Sequence, residues 1–215
     1  MNTYHFSEMN LTWDSIFPLK LYSQNRAKQA VPVSVGEKFP NFNIASESLI
    51  STFASNRFST TQVRHLASNK PLVISFLSEG WNQYAFEHLQ KLRVSYQEIV
   101  SLGGELVVIV QGQTTEVQEF ANYFQIPFQL VADPTHAIAT QLGLYDEDFP
   151  VWESVTGISE NVTVPAVYTI GRNGKIVYAA IDKHFDNPFS ITEMLASVYG
   201  ASNNIPVAIR QEMAA

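Results

Sequence analysis

The sequence predicts an α/β fold: a mixed, mostly parallel sheet with helices on both faces. Two observations carry that prediction. Leu72 to Leu77 and Glu105 to Val110 are short, nearly continuous apolar runs, the pattern of strands covered on both sides. Between and after them lie segments whose apolar residues are spaced by three and four, the period of amphipathic helices. Strands alternating with helices imply crossover connections and parallel pairing. A hairpin, Ala166–Ile170 and Lys175–Ile181 around Gly171-Arg172-Asn173-Gly174, adds an antiparallel edge, since Asn-Gly is a favoured tight-turn pair.

In chain order, residues 1–32 read as an N-terminal arm with one short helix and a linker toward Pro32. Its apolar residues, Phe6, Leu11, Trp13, Ile16, Phe17, Leu19 and Leu21, dock either on the domain's own core edge or on a partner subunit. The domain itself is assigned to 33–200. Val35 to Ile44 reads as a turn and an edge strand, where Pro40 is tolerated. Thr61 to Ala67 reads as a short helix capped by Thr60 or Thr61. The Leu72 strand feeds a long helix opening near Asn82, with Ala85, Leu89, Leu92, Tyr96 and Ile99 on one face and Gly103-Gly104 as its stop. Thr115 and Gln118 suggest a capping box for a helix facing inward through Val117, Phe120, Ala121 and Phe124. Phe128 to Val131 is a strand. Asp133-Pro134 marks a helix start, which carries Ala137, Ile138 and Leu142 to Gly143. Residues 145–163 are irregular. Ser190 and Glu193 open a last helix, with Ile191, Met194, Leu195 and Val198 inward and Gly200 as its end. Residues 201–215 form a tail.

Composition narrows function. The chain has 215 residues, 46% hydrophobic, and a net charge of -7, which disfavours nucleic acid as a partner. It contains no cysteine, so disulfides, thiolate metal sites and cysteine catalysis are all absent. Apolar runs are too short to span a bilayer, and the first residues show no secretory pattern; a cytoplasmic location is the expectation. The sequons at Asn10 and Asn161 then read as chance matches. His5, His65, His88, His136 and His184 lack metal-ligand spacing. Asp182, His184 and Asp186 are a weak metal candidate that a polar loop explains equally well. No metal and no cofactor is expected.

Several segments, in order, resemble the alkyl hydroperoxide reductase/thiol-specific antioxidant family, the peroxiredoxin-like proteins. Val35-Gly36-Glu37-Lys38-Phe39-Pro40-Asn41-Phe42 is similar to that family's opening V-G-x-x-x-P-x-F. Val73-Ile74-Ser75-Phe76 before Trp81 resembles the strand before W-C-P-x-C. Phe128 to Asp133-Pro134 and Val164-Pro165-Ala166-Val167-Tyr168-Thr169-Ile170-Gly171-Arg172-Asn173-Gly174 resemble two later motifs. The resemblance covers about residues 33–199 and implies a thioredoxin-like three-layer sandwich, a tendency to dimerise, and a cis Val164–Pro165 bond facing the site.

The chemistry departs from the family. Asn82 and Ala85 stand at the two cysteine positions, and neither an amide nor a methyl can attack a peroxide as a thiolate does. No catalytic residue is therefore assigned. The candidate binding pocket is Ser78, Glu79, Trp81, Asn82, Gln83 and Pro165. Asn82 reads as a helix cap, or with Gln83 as an anion or carboxylate contact. Trp81 reads as a packed scaffold aromatic. A binding or structural module, serving a homodimer, another protein or a small ligand, is the leading reading. The alternative is an enzyme using a non-thiol group near Trp81, with Glu79 as its base. A chain whose cysteines were engineered out is a third: Ala85 suits it, Asn82 does not.

Overall fold

The computed structural model describes residues 29–51, 60–66 and 69–205. The predicted arm up to residue 28 and the predicted tail from residue 206 lie outside them. At the centre, β4 (Leu72–Ser78), β5 (Glu105–Gln111) and β6 (Gln129–Ala132) run parallel. β7 (Ala166–Ile170) lies antiparallel to β4, and β8 (Ile176–Ile181) antiparallel to β7. The two-residue β2 (Leu49–Ile50) pairs antiparallel with β6 at the far edge. The order is β2-β6-β5-β4-β7-β8. β4, β5, β6 and β8 thus share one direction, and β2 and β7 oppose it. A separate ladder joins β1 (Asn43–Ala45) to β3 (Thr60–Gln62).

Among the described residues four α-helices cover the sheet: α1 (Gln83–Ser101), α2 (Thr114–Tyr123), α3 (Ala137–Gln141) and α4 (Ile191–Ser202). His88 of α1 meets Ser75 of β4, and Ser197 of α4 donates to the Thr169 hydroxyl of β7. In the β4–β7 register Val73 faces Thr169 and Ser75 faces Val167. α1 and α4 therefore cover one face, because paired residues point the same way. The opposite face presents Tyr168, packed edge-on by Phe39 with ring centroids 5.8 Å apart. α3 belongs to that layer, since Leu142 just beyond it accepts from the Val33 N–H of the same N-terminal segment. Cover on both faces is why every residue of β4 is buried, as its apolar run predicts.

Boundaries moved where side chains found other partners. β3 and a single 3₁₀ turn at Val63–His65 replace the predicted helix at Thr61, because Thr60 and Thr61 pair with β1. α2 starts at Thr114, and its back-bond runs from Glu116 to the Gln113 N–H at 2.8 Å rather than through Thr115 and Gln118. Asp133 does cap α3, but from five residues ahead: its carboxylate accepts from Ile138 and Ala139. Pro134 and Thr135 form a turn before it, and His136 takes a left-handed conformation. α4 runs through Gly200 to Ser202, since a buried glycine can pack inside a helix as well as end one. On the inward face of α1 the fully buried set is His88, Leu89, Leu92, Ser95 and Ile99, with Ala85 and Tyr96 half-buried.

The end of α1 matches expectation closely. Gly104 donates to Ile99 and Gly103 to Val100, the paired bonds of a Schellman stop. Gly103 sits at φ 81°. Gly103→Ala should lower unfolding free energy by about 1 kcal/mol through left-handed strain, read as a lower urea midpoint at unchanged slope.

Candidate functional site

β4 ends at Ser78, a 3₁₀ turn spans Glu79–Trp81, and α1 begins one residue later. This junction is fastened from above by the strap 154–163. Trp81 is 2% exposed, so its indole N–H needs a partner; it donates to the Thr163 carbonyl at 2.7 Å. Gln111 at the end of β5 uses its amide twice, donating to the Asn161 carbonyl at 3.3 Å and accepting from the Thr163 N–H at 3.0 Å. Asn161 in turn donates to the Asp146 carbonyl and accepts from Val151 N–H. Gly80 allows the close approach: a β-carbon there would stand 2.6 Å from Val162 Cγ1.

Asn82 departs from the expected cap. Its side chain makes no cap bond but donates to the Gly157 carbonyl at 3.0 Å, with the backbone at φ 54°. Asparagine tolerates positive φ better than most residues, and here the amide serves the strap. Val164–Pro165 is not cis, and no described peptide bond is. The Pro165 carbonyl accepts from Asp182 N–H and the Val164 N–H donates to Leu144; these contacts are met by the trans form, the ground state of an X–Pro bond.

Beneath the junction lies a ring cluster that sequence reading missed. Trp81 packs edge-on to Tyr84, His88 and Phe185, and His88 edge-on to Phe189. Tyr84 donates to Asp182 at 2.8 Å. Burial first, then that bond and the charges of Asp182, Asp186 and Glu87, push the phenol far up, so it remains a donor at any ordinary pH. Asp182 also accepts from Asp186 N–H and Asn187 N–H. Its carboxylate organises its own loop, and among the described residues Asp182, His184 and Asp186 do not come together as a group of three that could hold a metal ion. The available signal was the spacing Trp81, Tyr84, His88, which is helical and aromatic on one face.

His88 Nε2 lies 2.7 Å from Ser75 Oγ. The contact has nucleophile–base geometry, yet Ser75 is 0% and His88 3% exposed. The space among Tyr84, His88, Pro165, Asp182 and Phe189 leaves no room for a water molecule. His88 Nδ1 has no partner. An unpaired acceptor is the lesser cost, so the proton belongs on Nε2, donated to Ser75, whose hydroxyl faces the Phe76 carbonyl at 3.4 Å. Burial, and then the Lys91 ammonium, hold the imidazole down to about 3.

The other predicted residues are spread around this closed centre. Ser78 is buried and accepts from the Gly80 N–H. Pro165 is buried against the ring cluster. Gln83 is exposed and bonds Glu87. Glu79 is exposed and opens onto a separate cleft of about 470 Å³ with Gln111, Glu116, Phe120 and Tyr123. Structure therefore joins Ser78, Trp81, Asn82 and Pro165 to the strap and ring cluster, while Glu79 faces elsewhere.

The model of the AhpC/TSA family matches residues 35–179. No curated protein matches. Among solved structures the chain is similar to peroxidoxin BcpB from Mycobacterium tuberculosis, at 14% identity over 80% of this chain and 97% of that one, TM-score 0.57. It is similar to reduced Plasmodium vivax 2-Cys peroxiredoxin, at 14% identity over 80% and 84%, TM-score 0.59. A peroxiredoxin-like protein from Aquifex aeolicus matches at 13% identity over 79% and 88%, TM-score 0.58. At such identities these likenesses establish the fold, a thioredoxin-like α/β sandwich.

Two outcomes test this description. His88 is held neutral in the fold, so its folded value lies below the unfolded one of about 6.5. Its contribution to stability is complete above the unfolded value and drains away as pH falls from about 6.5 toward 3, by up to roughly 1.4 kcal/mol per pH unit. Urea midpoints taken between neutral and acid pH should fall less steeply in His88→Gln than in the parent; parallel curves would contradict a buried neutral imidazole. Gln111→Ala strands the buried Thr163 N–H and should cost about 1–3 kcal/mol, with amide exchange rising first across residues 154–163.

Proposed function

Because this chain belongs to the AhpC/TSA family yet has no cysteine, we propose that it is a redox-inactive member that works by binding. Its partner is a second copy or another protein. The observation that carries this is the absent thiol: Asn82 stands where the resemblance puts the family nucleophile, and its amide is committed to Gly157. Neither the Asn82 amide nor the Ala85 methyl can take the place of a thiolate attacking an O–O bond.

The surface around the junction supports docking. Phe86 is 50%, Trp152 50% and Tyr123 82% exposed. Phe86 lies in the first turn of α1, Trp152 on the same loop region as the strap, and Tyr123 beside Glu79. Exposed aromatics of this kind are the usual anchors of protein interfaces. Ser78, Trp81, Asn82, Gln83 and Pro165 then serve as the frame beneath that surface. A small ligand in the emptied niche is the weaker form of the proposal, since the rings already fill it. The reading includes a cytoplasmic location, which cell fractionation tests.

Glu79 supplies the second reading, a non-thiol enzyme, and the observation favouring it is its exposed carboxylate over an open cleft. Peroxide consumption by purified protein, with and without dithiol, separates the two. The binding reading expects no turnover and a dimer mass by light scattering that drops toward monomer in Phe86→Ser/Trp152→Ser. Turnover abolished by Glu79→Gln would replace it with the enzyme reading.

A further inference from the structure

A cavity lies at the opposite end of β4 from the junction. It encloses about 700 Å³ between the start of β4, the β7–β8 turn, residues 38–41 and the turn at Val63–His65, a size typical of small-molecule sites. Its floor is apolar: Phe39, Val63, Leu72 and Ile170 are all buried. Its rim is cationic, formed by Lys38, Lys70 and Arg172 with the His65 imidazole beside them, and among the described residues no carboxylate lines it.

That distribution is unusual in a chain of net charge -7. Two acids lie nearby, one of them paired with a rim lysine. Glu37 turns its carboxylate onto the Ser34 N–H and hydroxyl. Glu105 reaches Lys70 at 3.5 Å, a long, half-exposed pair of small worth. Lys38 and Arg172 have no ion-pair partner among the described residues. A guanidinium and ammonium groups around an apolar floor match one ligand chemistry, a charged head that takes charge-assisted hydrogen bonds and a body that excludes water.

We propose that this cavity binds a small organic anion, a carboxylate or phosphate head on an apolar body. The head lies between Lys38 and Arg172, with Lys70 adding charge, and the body rests on Phe39 and Ile170. A cationic rim of this kind raises the local concentration of such an anion. The site shares no residue with the junction, so its test is independent of the binding reading above.

The probe is 8-anilinonaphthalene-1-sulfonate, an anion on an aromatic body, titrated by fluorescence into the full chain. Dodecanoate and adenosine monophosphate compete as the aliphatic and nucleotide forms of the head-and-body chemistry, and dodecanol as the uncharged control. The expected result is saturable binding displaced by at least one anion and not by dodecanol. Lys38→Gln/Arg172→Gln should weaken binding at least about tenfold, the worth of one charge-assisted bond, whereas Lys183→Gln should not. Both substituted positions are exposed, and near-ultraviolet dichroism checks that the fold is intact. Equal affinity in the double variant, displacement by dodecanol as good as by dodecanoate, or displacement by neither anion would overturn the proposal.

Discussion

The bond from the Trp81 indole to the Thr163 carbonyl is the constraint on which the rest of this end of the molecule depends. An indole this large has to be buried, and once buried its N–H must be paired. Here a second segment, the strap, crosses the strand–helix junction and does both. Gln111 and Asn82 then fasten the same segment from β5 and α1. Three side chains hold one stretch of backbone, at exposed Gly157, half-buried Asn161 and buried Thr163.

Closure of the strap determines what lies below it. Tyr84, His88, Phe185 and Phe189 can pack against Trp81 because no solvent-filled cleft has to be kept open there. A reactive thiolate needs access, positive potential and a free backbone N–H. This junction keeps the helix N-terminus and gives up the access. Ser75 and His88 form a polar contact inside the core, and the unpaired Nδ1 is its remaining cost. The chain thus has the family fold, while the energetics of this corner are those of a packed interior.

The two ends of β4 differ in kind. At Ser78 the surface is aromatic and closed; at Leu72 it is open and cationic. A sheet buried on both faces leaves only its ends and edges for recognition. On the two readings proposed above, a protein partner would meet one end and a small anion the other, and neither intrudes on the core.

Local chemistry made much of the fold legible. The apolar runs of β4 and β5, the Asn-Gly turn, the Ser190 cap and the paired glycines after α1 act within a few residues, so sequence alone determined them. The missing cysteine was equally plain, and with it the loss of thiol chemistry. What needed the tertiary structure were bonds between residues far apart in the chain. Asn82 became a fastener of Gly157 instead of a cap, and Asp133 reached past Pro134 to the N-terminus of α3. His88 found Ser75, and Lys38 and Arg172 came to one mouth. Short-range propensity carries no information about such partners, because burial decides which polar groups must meet and only the folded chain decides what is buried.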